Sequence, residues 1–206
     1  MLTDNSFQEN NLLSLLKESE KKLFRLRNFR RGQIIARENE TCEEIGIIVQ
    51  GEVVISSYSY HGEEIVYNTL HENEVFGNNL LFSSDPHYRG NIIVNKASKV
   101  ALINRKNLLL LLKENEQFLV AYLNIQSDFG KRLNATIKLL SFSSAEERFL
   151  YYLFLHGNRV NYRSVTALAK EVFMKRETLS RLLTKLVDEN RIKRFRNLLV
   201  INEKSR

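Results

Sequence analysis

The chain is 206 residues long, 43% hydrophobic and 27% charged, a globular composition with enough apolar material for one large core or two small ones. Its longest apolar runs, such as Leu108–Leu112 and Phe149–Leu155, fall far short of the roughly 20 residues that cross a bilayer, and the opening MLTDNSFQENN lacks the character of a secretory signal. The single cysteine, Cys42, excludes an internal disulfide, a multi-thiolate metal site and an iron–sulfur cluster, so a reducing, cytoplasmic setting is expected.

The net charge of +7 is unevenly spread: residues 159–206 hold 13 Lys/Arg against 5 Asp/Glu, whereas residues 1–158 hold 18 against 19. That asymmetry calls for a polyanion partner at the C-terminal end, a nucleic acid or an anionic membrane surface, unless the segment is simply a solvated basic tail.

In chain order, Leu12–Phe24 has the pattern of a short amphipathic helix that caps a strand-rich segment. Residues 31–104 read as short strands, Ile45–Gln50, Glu52–Tyr60, Ile65–Leu70, Asn91–Val94 and Lys99–Ile103, punctuated by glycines at 32, 46, 51, 62, 77 and 90. The spacing is that of an antiparallel roll, with His61-Gly62 as a hairpin turn. After Ile103 the period becomes helical. A short helix is predicted over Lys106–Lys113 and a long one from Glu116 to about Ser141, with Phe118, Tyr122, Ile125, Phe129, Leu133, Ile137 and Leu140 recurring every three or four residues. That narrow stripe suits packing against a twin helix, where Gly130 would let two backbones approach, the alternative being an ordinary helix packed on its own domain.

Ser144 is a natural cap for a new helix over Ala145–Leu155, with Glu146 and Glu147 complementing the positive end of its dipole. A polar loop, Gly157–Arg163, leads to SVTALAKEVFMKRETLSRLLTKL, spaced as a helix-turn-helix: a first helix from Ser164, a turn at Phe173–Lys175, a second helix from Arg176. In the second helix Leu179, Leu182, Leu183 and Leu186 would bury one face and leave Arg176, Glu177, Ser180 and Arg181 opposite, at the N-terminal end that enters a major groove. Arginine matches guanine O6 and N7, and glutamate can accept from cytosine N4, so these four are the candidate base contacts. Ile192–Ile201 reads as a hairpin with a basic tip, and Lys175, Lys185, Lys193, Arg194 and Arg196 are candidate phosphate contacts.

With these residues in view, the order of roll, long helix, hinge and winged helix-turn-helix resembles the Crp/Fnr family of bacterial transcription regulators. The string Arg176-Glu177-Thr178-Leu179-Ser180-Arg181-Leu182-Leu183 carries the resemblance most specifically, supported by Gly46-Ile47-Ile48-Val49-Gln50-Gly51 and Phe76-Gly77. The resemblance implies an α+β chain: an N-terminal antiparallel β-roll of the cyclic-nucleotide-binding, jelly-roll type over 1–115, a dimerisation helix over 116–141 and a C-terminal winged helix-turn-helix over 142–206. It further implies a homodimer on double-stranded DNA, paired through the long-helix stripe and reading an inverted repeat, with RNA polymerase as a further partner. Arg176 points to the cyclic-AMP receptor branch and a TGTGA-type half-site, while Ser180 with Glu177 and Arg181 also fits the oxygen-regulator branch.

Two departures stand in the helix-turn-helix: Phe173-Met174 occupies a turn where the family often has glycine, and Val165 stands where a basic residue contacts phosphate. The effector region departs further. Cyclic-nucleotide binders of the family show Phe-Gly-Glu-Leu and, eleven residues after the glycine, Arg-Ser-Ala; here the strings are Phe76-Gly77-Asn78-Asn79 and Tyr88-Arg89-Gly90. The carboxylate is absent, the arginine is displaced by one, and of the family's Thr-Ser pair on the long helix only Thr136 remains. Asn78, Tyr88, Arg89 and Thr136 are therefore candidates for a pocket holding a small effector other than cyclic AMP, unless the roll serves only as scaffold.

Haem sensing is not expected, because His61, His71, His87 and His156 are scattered in turn or loop contexts. Cys42 lies between Glu40 and Glu43, a setting that raises a thiol pKa and disfavours a redox switch. No phosphate loop, metal-ligand spacing or nucleophile–base arrangement suggests an enzyme. The competing expectation is an effector-binding or protein-interaction module with a basic tail that binds polyanions without specificity.

Overall fold

The computed structural model describes residues 12–202. The chain packs as two compact units, the first ending at Asp128 and the second beginning at Phe129.

In the first unit a 3-10 turn, Leu12–Leu15, and a single α-helical turn, α1 (Glu18–Lys21), stand where the sequence predicts one amphipathic helix. The chain turns extended at β1 (Arg25–Phe29), earlier than the predicted start of the strands, and continues through β2 (Ile34–Ala36), β3 (Glu44–Tyr58), β4 (Glu64–Leu70), β5 (Val75–Phe76) and β6 (Asn91–Asn104). All pairings are antiparallel, in the order β1-β6-β3-β4, with β2 on β6 and β5 on β3. What reads in the sequence as several short strands is largely two long ones, β3 and β6. Their register shifts three times between Ile48 and Val53, and bulges of this kind bend a strand, so the sheet curves without ending. Gly51 makes the bulge possible: its φ is +102°, and a Cβ there would lie 2.5 Å from the Ala97 carbonyl oxygen. The predicted hairpin at His61-Gly62 joins β3 to β4, with Gly62 at φ +79°.

The curved sheet encloses one core, in which Ile45, Ile47, Ile48 and Val53 of β3 meet Ile92, Val100, Leu102 and Ile103 of β6. Helix α2 (Arg105–Glu114), capped by the Asn104 side chain, adds Leu108 and Leu111. Helix α3 (Glu116–Ser141) has the predicted bounds and adds Phe118 and Tyr122.

This last contact corrects part of the expected pairing stripe. Phe118 and Tyr122 are buried in the core of the roll, and Ile125 packs beside them, so these three do not face a twin helix. The outward apolar residues of α3 are Val120, Leu123, Leu133, Ile137 and Leu140, each 49–56% exposed. The sequence stripe merged two faces, one covered by the chain's own core and one open.

The second unit contains the C-terminal part of α3, helix α4 (Ala145–Leu155), β7 (Arg159–Asn161), α5 (Val165–Glu171), α6 (Arg176–Asp188) and a hairpin of β8 (Ile192–Phe195) and β9 (Leu198–Ile201). β7, expected as loop, pairs with β9 in a three-stranded sheet ordered β7-β9-β8. Phe149, Leu153, Leu168, Val172, Leu179, Leu183 and Leu199 form its core, with Leu139 of α3 packed into it. Both units mix helices with antiparallel sheet, which gives the α+β class.

Because Phe118 has no exposed surface and is held by roll residues, Phe118→Ala is expected to destabilise the first unit by about 3–5 kcal/mol. Urea unfolding of the full chain measures this; a loss below 1 kcal/mol, on the order of an exposed position, would contradict its place in the core.

Candidate nucleic-acid interface

The second unit presents α6 through three local devices. Ser144 caps α4 by accepting from the amides of Glu146 and Glu147 at 3.2 and 3.4 Å, and Ser164 caps α5 by accepting from Ala167 N at 3.1 Å. Between α5 and α6 the chain reverses at Phe173, whose φ of +53° is left-handed and costs a residue with a Cβ roughly 1–2 kcal/mol. Met174 N donates to Ala169 O at 2.8 Å, closing the end of α5. The turn that lacks the family's glycine thus adopts the conformation glycine would favour.

Leu179, Leu182, Leu183 and Leu186 are buried, as their spacing predicts, and this rotates Arg176, Glu177, Ser180 and Arg181 into solvent. Among the described residues, Arg176 and Arg181 enter no salt bridge. Lys175, Lys193 and Arg196 are likewise exposed without an ionic partner, and Arg194 Nε donates to the Tyr162 hydroxyl at 3.2 Å. Lys185, expected among the phosphate contacts, is placed differently: its Nζ lies 2.8 Å from Glu146 Oε2 and 3.8 Å from Glu189 Oε1. Glu146 also holds Arg191, so this carboxylate ties α4 to the last turn of α6 and to the residue before the hairpin. The bonds from Lys185 and then Arg191 hold the Glu146 carboxyl below the usual carboxylate range.

Sequence reasoning missed two features. Arg148 of α4 donates from Nη1 to Phe173 O and from Nη2 to Phe142 O, both at 3.0 Å, while its buried Nε has no partner. On the first unit, residues 21–31 carry six cations, Lys21, Lys22, Arg25, Arg27, Arg30 and Arg31, with no anion between them, and β1 is an edge strand. Counting charge over residues 1–158 concealed this run; an eleven-residue window shows it.

Within the first unit, the candidate effector residues Asn78, Tyr88 and Arg89 are each engaged by the chain itself. The Asn78 side chain is buried and donates to Gln126 Oε1, while its backbone carbonyl accepts from Gln126 Nε2 at 2.9 Å and from the Tyr122 hydroxyl at 3.2 Å. The Tyr88 hydroxyl faces inward to Glu44 O at 3.4 Å, and burial raises its pKa. The Arg89 guanidinium is exposed and paired with Asp85. Tyr67 donates to Arg89 O at 2.9 Å and lies so close to Gly90 that a Cβ there would be 2.1 Å from its oxygen. Thr136 belongs to the second unit. None of these residues lines the groove that the first unit forms among Phe24, Arg25, Glu43, Glu44, Asn104 and Asn107.

In the cyclic-nucleotide binders that the sequence resembles, a carboxylate holds the ribose and an arginine the cyclic phosphate; here Asn78 is turned inward and Arg89 is paired with Asp85, so the residues present do not match that pair. The Cys42 thiol is raised as expected, but chiefly by burial, with the Glu44 charge the smallest contribution. Among the described residues no helix is long and apolar enough to cross a membrane.

These observations define a class: an antiparallel nucleotide-binding-type roll joined by a long helix to a unit that exposes one cationic helix. Residues 26–115 match the family described as Cyclic nucleotide-binding domain. Solved structures share the fold over nearly the whole chain. The catabolite activator protein of Thermus thermophilus is 20% identical, with 94% of each chain covered and a TM-score of 0.57. A CooA mutant from Carboxydothermus hydrogenoformans is 18% identical, with 94% of this chain and 92% of that one covered and a TM-score of 0.66. CLP of Xanthomonas campestris, described as a c-di-GMP responsive global regulator, is 19% identical over 96% and 99%, with a TM-score of 0.55. No curated protein matches in sequence. The domain match and the shared fold agree with the roll-type resemblance read from the sequence; of these neighbours, the Thermus protein is named an activator and CLP a global regulator.

The lowered pKa of Glu146 links stability to pH. Its ionised form is favoured by the fold, so the stabilisation is fully present above the ordinary value of 4.5 and is lost as pH falls through the lowered folded value. Unfolding midpoints taken from neutral pH down through the carboxylate range are expected to fall less steeply in Glu146→Gln than in wild type; parallel curves would refute the linkage.

Proposed function

We propose that the chain is a sequence-specific DNA-binding transcription regulator. It acts as a homodimer on an inverted repeat, through a winged helix-turn-helix formed by α5, α6 and the β8–β9 hairpin. The organisation is a roll over 1–115, a pairing helix over 116–141 and a DNA-binding domain over 142–206. One observation carries the reading: the buried leucine face of α6 fixes its rotation so that Arg176, Glu177, Ser180 and Arg181 project together from its N-terminal half. A helix entering a major groove reads bases from that end. Lys175, Lys193, Arg194 and Arg196 flank it as phosphate contacts, with Lys185, exposed and ion-paired to Glu146, on the same helix.

Pairing uses the open face of α3. Leu123, Gly130 and Ile137 recur at seven-residue intervals, and nothing lies within 4 Å of the Cβ position of Gly130, which leaves room for a close backbone. Symmetry then sets the two half-sites about one helical turn, ~34 Å, apart. The poor fit of the roll to cyclic nucleotide supports site recognition without that effector.

Selection from random duplexes by the purified protein, with no small molecule added, is expected to return an inverted repeat with TGTGA-like arms. On that site Arg176→Ala should cost about 1–3 kcal/mol and relax preference at one base pair, with little change on scrambled duplex. Equal losses on both would favour a nonspecific polyanion binder. Leu133→Asp combined with Ile137→Asp is expected to yield a monomer by light scattering with weakened site binding; a dimer of unchanged mass removes α3 as the interface.

A further inference from the structure

We propose that Arg148 is a positioning residue: it clamps the α5–α6 turn to the end of α3 and so sets where the recognition helix sits relative to the pairing helix. The inference rests on the DNA-reading assignment for its functional meaning, though not for its geometry.

The turn needs holding for two reasons. Phe173 occupies a left-handed conformation that glycine adopts freely and phenylalanine does not, and its side chain is 47% exposed, so core packing does little to enforce it. In addition, the N-cap of α6 is Lys175, which makes no capping hydrogen bond, whereas α4 and α5 each begin on a capping serine. The start of the recognition helix therefore depends on the turn before it. Arg148 supplies the missing restraint, with one guanidinium nitrogen on Phe173 O and another on Phe142 O, the residue directly after α3. Phe142 is itself seated against Tyr151, ring centroids 5.0 Å apart.

The guanidinium is rigid and planar, so holding both carbonyls fixes the distance between them. It keeps this pose although its buried Nε finds no partner, which marks the two carbonyl bonds as the ones that determine it. A lysine carries the same charge with its three donors on one nitrogen, so it cannot hold two carbonyls apart on two separate nitrogens as the guanidinium does. With α3 as the pairing helix, the clamp governs the separation of the two recognition helices rather than the reading of any base.

Two measurements on the full chain decide this. In DNA binding, wild type should discriminate its selected site from variants whose half-sites are moved one base pair closer or farther apart. Arg148→Lys should lose about tenfold or more on the selected site and most of the spacing discrimination, while binding unrelated duplex as before. In thermal unfolding, a cycle of Arg148→Lys and Phe173→Gly should be non-additive, the lysine lowering Tm less where glycine already favours the turn. The double variant also provides a folded protein for the spacing assay if Arg148→Lys alone does not fold. Wild-type spacing discrimination in either lysine variant, or an additive cycle, overturns the clamp. Failure of wild type to select any site defeats the DNA-reading assignment instead, and the cycle then decides alone whether Arg148 holds the turn.

Discussion

The burial of four leucines on α6 is the constraint on which the functional surface depends. Leu179, Leu182, Leu183 and Leu186 are sealed into the second core, each burial stabilising by roughly 1.5–3 kcal/mol. Successive residues of a helix are rotated by about 100°, so a slip of one position would bring Arg176 or Arg181, according to its direction, toward the core and turn most of the leucines outward. The charged face is therefore specified by apolar packing. The cations themselves contribute little to holding α6 in place; their position is a consequence of where the leucines must go.

That arrangement leaves the arginines and lysines in two populations. Lys185 and Arg191 converge on Glu146, Arg148 holds two carbonyls, Arg25 grips the Glu44 carboxylate, and Arg89 pairs with Asp85. These charges are engaged within the protein, and a polyanion gains less from them. Arg176, Arg181, Lys175, Lys193 and Arg196 have no ionic partner among the described residues; they lie on α6, at its start, on β8 and at the hairpin tip. Since each neutralised phosphate contributes a slope of about 0.9 to the salt dependence of binding, the sorting matters more than the formal total of +7. Net charge overstated what Lys185 offers and hid the cationic β1 edge.

Much of this was legible in the sequence because it is local. Ser144 and Ser164 announce their helices, the bounds of α3 follow from its period, and the leucine spacing of α6 predicts its buried face. What could not be read depends on partners distant in the chain. Phe118 and Val120 both belong to apolar rows on α3, and periodicity alone does not say which row the roll covers. The length of β3 and β6 is set by bulges and cross-strand register, which glycine punctuation mimics as strand ends. β7 forms only because β9 lies beside it. Arg148 gives no signal because its acceptors are backbone carbonyls, one of them 25 residues away, and every residue type offers a carbonyl.

The effector region keeps the fold of the roll with polar groups that differ from the cyclic-nucleotide pattern the sequence resembles. The roll keeps Phe76-Gly77, the hairpins and the bulged strands, all of which its core requires. At position 78, however, an amide replaces the carboxylate, and an amide can both donate and accept. The Asn78 side chain donates to Gln126, and its backbone carbonyl receives Gln126 and Tyr122 from α3, so the contact from this loop to the helix is complete within the protein. A ligand reaching for Asn78 would have to break those bonds in a buried site, where a lost hydrogen bond costs about 1–3 kcal/mol. Tyr67 packs over Gly90, with its hydroxyl on the Arg89 carbonyl. The polar groups of Asn78, side chain and carbonyl alike, are thus satisfied within the chain by Gln126 and Tyr122 of α3.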